Sequence, residues 1–331
     1  MFPQARAASS HRGWVRVPVS FSLVITAWFT LIEAPNAHAA ARRVDRPASG
    51  AAPGALLAED LPELPEARDG AAVVATDDAL FVIGGAGRQG LIGRLDRFDL
   101  KTRRWQTLSD ELIPRRHMSA VLVDDHIYIF GGRGARGPEA TVEAWDLSRG
   151  VLEQKAPMPS PRYFASAALF EGRVYVAGGT MGWGRTGVVE IYDPAADAWY
   201  VCAPLQVARD TRLVVADGAL YALGGYTGEG VSTLVERYNG RRWVEAGRMP
   251  KPTSAFAVAA AGGRVYLFGD HRDIGRVLEW QPESGTWRAV AAPYFPRRHS
   301  AAVSAGDTIF VVGGSQPSGH KLATVERFAA R

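Results

Sequence analysis

Arginine recurs at one place along this chain, at Arg68, Arg115, Arg162, Arg209 and Arg297, with Thr253 where a sixth would stand. Two residues further on come Gly70, His117, Phe164, Thr211, Ala255 and His299, and Arg116, Arg212 and Arg298 add charge beside them. A guanidinium is permanently charged and presents a planar fork of donors, which suits it to carboxylates. Gathered at one end of a fold, these arginines would form a cationic mouth for a carboxylate or an acidic peptide. The same regularity has a second reading: a structural repeat also fixes one residue type at one place, and each arginine would then tie a neighbouring unit's carbonyl or carboxylate. His117, His299 and Asp210 are the nearby groups that could carry a general acid or base. Trp183, between Gly182 and Gly184, and Tyr226 are aromatics in loops, where a ring suits stacking on a sugar or a peptide.

A repeated element must position these residues. Ile127-Tyr128-Ile129-Phe130-Gly131-Gly132 is a short apolar strand closed by two glycines, and the phrase returns as ALFVIGG, RVYVAGG, ALYALGG, RVYLFGD and TIFVVGG. The first glycines, Gly84, Gly131, Gly178, Gly224, Gly269 and Gly313, are spaced by 47, 47, 46, 45 and 44 residues. Each phrase follows a small apolar strand across a tight acidic or glycine-rich pair such as Asp124-Asp125 or Asp217-Gly218, the chemistry of a two-residue hairpin. Downstream lies a third strand with an aromatic near its end: Phe98, Trp145, Tyr192, Tyr238, Trp280 or Phe328. A tryptophan opens a fourth strand at Trp105, Trp199, Trp243 and Trp287, with Leu152 in the second unit. Four short antiparallel strands, repeated, predict the blades of a β-propeller.

The pattern of GG after strand two, an aromatic in strand three and Trp in strand four resembles the kelch repeat, whose period is about 50 residues. Asp270 for a second glycine, Leu152 for Trp and the short Tyr238–Trp243 interval depart from it. The resemblance implies an all-β, six-bladed propeller over residues 55–331. In propellers of this kind the matching arginines at the mouth contact acidic ligands. The resemblance also implies closure by strand exchange. In five units the fourth strand starts ten residues before the recurrent position, as Trp105 does before Arg115; ten before Arg68 is Ala58. The last unit stops after its third strand, so residues near Ala55–Leu61 are expected to complete it.

Adjacent strands run antiparallel, so the loop leading into each blade and the loop after each Gly-Gly lie on one face. The expected ligand-binding residues there are Arg68, Arg115, His117, Arg162, Trp183, Arg209, Tyr226, Arg297 and His299.

Residues 1–39 have the marks of a secretory signal peptide. Arg6, Arg12 and Arg16 precede an apolar run from Val17 to Ile32, and Ala37-His38-Ala39 is an A-x-A cleavage site. The run falls short of the ~20 residues of a spanning helix. Residues 40–54, rich in Ala, Pro and Gly, read as a flexible leader. Removing the three arginines and Glu33 takes the formal net charge from +4 to +2, which is no nucleic-acid footprint. Cys202 is the sole cysteine, the seven histidines show no metal-ligand spacing, and neither a metal nor a cofactor is expected. Gly85–Gly90 matches G-x-G-x-x-G but is followed by a strand, so its dinucleotide reading lacks the required helix.

The sequence therefore predicts an exported, secreted or periplasmic monomer that binds a protein, an acidic peptide or a carbohydrate without catalysis. The alternative is a carbohydrate-active enzyme on the same scaffold, similar to the sialic-acid epimerases. A copper-radical galactose oxidase fits less well, because Cys202 is misplaced for its Tyr–Cys crosslink.

Overall fold

The computed structural model describes residues 56–329. The expected signal peptide, its cleavage site and the leader lie outside them. Among the described residues every regular element is a β-strand, arranged as six four-stranded antiparallel sheets and two two-stranded ribbons.

The second blade shows why an apolar phrase becomes a central strand. From the channel outward it runs Ser119–Val123, His126–Phe130, Val142–Asp146 and Val151–Lys155. Side chains alternate across a strand. Ile127 and Ile129 therefore pack with Phe81 and Ile83 of blade one, while Tyr128 and Phe130 pack with Val174 and Tyr192 of blade three. A strand buried on both faces reads as a continuous apolar run. Leu152 stands opposite Trp145, so the outer strand forms there without its tryptophan. In blades one and three the tryptophan bridges blades: Trp105 Nε1 donates to Pro62 O at 3.1 Å and Trp199 Nε1 to Ala156 O at 2.8 Å.

The Gly-Gly pair is the joint between successive blades. A Cβ on Gly131 would lie 2.6 Å from the carbonyl oxygen of Arg162 in the next blade, and Gly131 has a φ of 56°, so the position excludes a side chain twice over. Gly132 N then donates to that carbonyl at 2.9 Å. The same joint closes the ring, where Gly314 N donates to Arg68 O at 2.9 Å.

Strand exchange completes the last blade as expected. Leu57–Leu61 pairs antiparallel with Val325–Ala329, with Ala58 opposite Phe328 and Leu61 opposite Val325. Leu61 and Leu64 share one apolar cluster with Phe98 of the first blade and Phe310 of the last. The loop leading into a blade also bridges its own post-glycine loop, as Arg116 does with Arg133 and Tyr163 with Thr180, so both loops share the mouth face.

Candidate ligand-binding site

The recurrent arginines do not line the mouth. Arg68, Arg115, Arg162, Arg209 and Arg297 are fully buried. Each guanidinium turns into its own blade and meets a buried carboxylate of the third strand. Arg68–Asp96, Arg162–Glu190 and Arg297–Glu326 lie at 2.7 Å, and Arg115–Glu143 and Arg209–Glu236 repeat the pair. Remaining donors reach backbone: Arg209 Nε to Gly224 O at 2.8 Å and Arg297 Nη2 to Val311 O at 3.1 Å. Burial lowers the pKa of Arg68, Arg162 and Arg209, and the partner carboxylate opposes it in each. The expected cationic mouth of these five residues is thus corrected to five internal struts. The expected tie to a neighbouring blade is made by the arginine carbonyl, and the side chain's tie stays within the blade.

The partner was visible in the sequence. Asp96, Glu143, Glu190, Glu236 and Glu326 each stand two residues before the third-strand aromatic. Where the arginine is replaced by Thr253, that place is Leu278. Both halves of the pair are lost together.

Two residues beyond Arg68, Arg115, Arg162, Thr253 and Arg297, the backbone enters the left-handed region at Gly70, His117, Phe164, Ala255 and His299. Their amides form a relay round the channel mouth: His299 N donates to Ala255 O, Gly70 N to His299 O, His117 N to Gly70 O and Phe164 N to His117 O, at 2.7–3.1 Å. Their rings gather above the channel, His117 at 3.9 Å from Phe164 and 5.4 Å from His299 between centroids. Burial drives the His117 pKa well below the ordinary imidazole value, with His299 and Arg116 adding to the effect. Burial likewise brings His299 down to about 4; Asp69 opposes this, while Arg212, Arg298 and His271 add to it. Both rings are neutral at physiological pH.

Blade four breaks the relay. The hairpin turn at Asp217 comes eight positions after Arg209, where in blade three Glu171 comes nine positions after Arg162. Thr211 consequently turns inward and its hydroxyl donates to Leu223 O at 3.0 Å, so it does not join the ring at the mouth. Arg212 occupies the break. Its Nε donates to Phe256 O at 3.3 Å and its Nη1 to Thr211 O at 3.1 Å. Among the described residues no carboxylate lies within ion-pair distance of it, and burial lowers its pKa against the attraction of Asp210.

Beside this break a cleft of about 820 Å³ opens on the mouth face between blades four and five. Phe164, Arg212 and His299 form its neck, which they share with a channel space of about 150 Å³. Tyr226 forms one wall, with the Arg185 guanidinium 4.5 Å above its ring and its hydroxyl donating to Gly228 O at 2.6 Å. Asp210 accepts from Thr180 Oγ1 at 2.7 Å and from Arg185 Nε at 3.3 Å; burial nevertheless raises its pKa. On the blade-five side Arg276 supplies a local replacement for the missing strut, donating to Thr253 Oγ1 and to Asp270 Oδ2, each at 3.0 Å. Asp270, in the place of a second glycine, also accepts from Ser254 N at 2.9 Å.

Of the residues expected to bind ligand, Tyr226 and His299 line this cleft and His117 lines the channel. Trp183 is 78% exposed at the tip of the Thr180–Arg185 ribbon, outside the cleft wall. Sequence reasoning assigned no ligand contact to Lys251, Asp270 or Arg276, which line it too. Their signal was the departure of blade five from the repeat at both Thr253 and Asp270.

The family model of the kelch motif matches residues 67–110, 114–159 and 161–206, which are the first three blades. The chain is a kelch-repeat propeller. It is 33% identical to mouse (Mus musculus) Kelch-like protein 35 over 109 residues, 31% of this chain and 19% of that protein. It is 38% identical to human (Homo sapiens) Kelch-like protein 33 over 88 residues, 26% of this chain and 16% of that protein. To human Kelch repeat and BTB domain-containing protein 13 it is 29% identical over 124 residues, 36% and 27% of the two chains. The kelch propeller thus matches between 16% and 27% of these relatives' length. The solved structure of YjhT superposes with a TM-score of 0.69 over 80% of this chain and 95% of that one, at 13% identity, a likeness of fold. In this kelch propeller the blades that frame the cleft, four and five, lie beyond the three matched stretches.

Proposed function

We propose that this kelch propeller is a binding protein, exported from the cell, that takes an anionic ligand in the cleft between blades four and five. The observation that carries the reading is Arg212, a part-buried guanidinium at the neck whose partners among the described residues are backbone carbonyls and no carboxylate. A buried charge is costly unless paired, and a ligand carboxylate supplies the missing partner. An acidic segment of a protein or peptide carries such a group, and so does an acidic carbohydrate. The test is titration of a glutamate-rich peptide and its glutamine counterpart into the wild type and Arg212→Gln. The glutamate peptide should bind, weaken with salt, and lose about 1.5–3 kcal/mol in the variant, the range for hydrogen bonds to charged groups. Equal binding of both peptides, or unchanged binding to the variant, would overturn the reading.

One observation favours the second reading, a carbohydrate-active enzyme. Asp210 borders the cleft with its pKa raised by burial, as an acid–base group requires. Asp210→Asn would then abolish turnover of a sugar substrate while leaving its binding intact.

A further inference from the structure

The polar groups of the cleft wall are mostly engaged with one another. Asp270 is held by Ser254 and Arg276, Asp210 by Thr180 and Arg185, and the Tyr226 hydroxyl by Gly228. A ligand with many hydroxyls would meet few free partners there. Two groups at the neck stand apart. Arg212 has no carboxylate, and His299 Nδ1 is buried with no hydrogen-bond partner among the described residues. Nearest the neck, the rest of the lining carries an apolar surface. Tyr226 is fixed in orientation by Arg185 on one face and by its own hydroxyl bond, and Phe164, Pro252 and Val231 extend the surface. The volume of about 820 Å³ falls within the roughly 300–1,000 Å³ of small-molecule pockets.

From these observations we infer that the cleft binds a small aromatic carboxylate, its ring against Tyr226 and its carboxylate seated between Arg212 and His299 Nδ1. The inference rests on the reading of Arg212 as an anion anchor and names what carries the anion. The Arg212 guanidinium donates to one carboxylate oxygen. The neutral His299 ring, with its proton on Nδ1, donates to the other. An aromatic ring stacks offset on the Tyr226 ring. Lys251, Arg272, Glu229 and Asp273 stand exposed or near the rim, where water and salt screen their charges.

The experiment is calorimetric titration of the full chain with phenylacetate, acetate, phenylacetamide and glucuronate. Phenylacetate should bind at least about tenfold more tightly than each of the others. Tyr226→Leu should reduce phenylacetate to the level of acetate, and Arg212→Gln should remove both. If acetate or glucuronate equals phenylacetate, the aromatic class is wrong while the anion reading stands. If phenylacetamide equals phenylacetate, the anion reading itself fails. Failure of all four to bind overturns the proposal. The wild-type series decides these outcomes even if a variant does not fold.

Discussion

Arg162 donates from Nη2 to Glu190 Oε2 at 2.7 Å, with both side chains shut away from solvent. A buried ion pair of this kind adds little net stability over a well-packed apolar pair, but losing one partner strands the other charge. Arg162→Thr should therefore destabilise by about 3–5 kcal/mol, and adding Glu190→Leu should recover most of it. The double variant copies Thr253 and Leu278 of blade five. Urea unfolding of both variants checks this; a double variant no better than the single one would refute the strut. Neither variant should change ligand affinity, because neither residue lines the cleft.

Closure makes a separate prediction. Residues 56–62 supply the edge strand of the last blade and, through Leu61, part of the seam to the first. Deleting them should expose the edge of Val325–Ala329, lower the melting temperature and promote association. Thermal melting and light scattering report both effects.

The paired histidines set a pH dependence. The folded-state pKa of His299, about 4, lies below its ordinary value of 6.5, and that of His117 is lowered as well. The unfolded chain therefore binds more protons in this window. Stability is complete above about pH 6.5 and falls as pH drops toward 4, by roughly 1.4 kcal/mol per pH unit for each histidine. Asp210, whose pKa is raised, acts in the opposite sense at the acidic end, and Asp99 and Asp146, held at about 2, titrate below the window. His117→Phe places in blade two the residue that blade three carries at Phe164, and should flatten the fall. Denaturant midpoints across the window provide the measurement.

Export predicts a mature N-terminus at Ala40, after the Ala37-His38-Ala39 site. Intact mass of protein from a secreting host gives the answer. A retained Met1 would refute cleavage.

The sequence by itself determined the period, the six blades, the glycine joints and the closing strand. These follow from backbone demands that leave direct marks in residue type: no Cβ fits at Gly131, and a strand buried on both faces must be apolar throughout. The closing strand could be counted out because Ala58 keeps the same interval to Arg68 that Trp105 keeps to Arg115. Only the tertiary structure decided which way the arginines face. A repeat position fixes a place on the backbone, but Arg162 can point to solvent or to Glu190 from the same place, and burial beside a carboxylate settles the matter. The cleft was hidden for a related reason. Shortening blade four by one residue puts Arg212 at a gap in a ring of amides, and that ring exists only once strands distant in sequence have closed it.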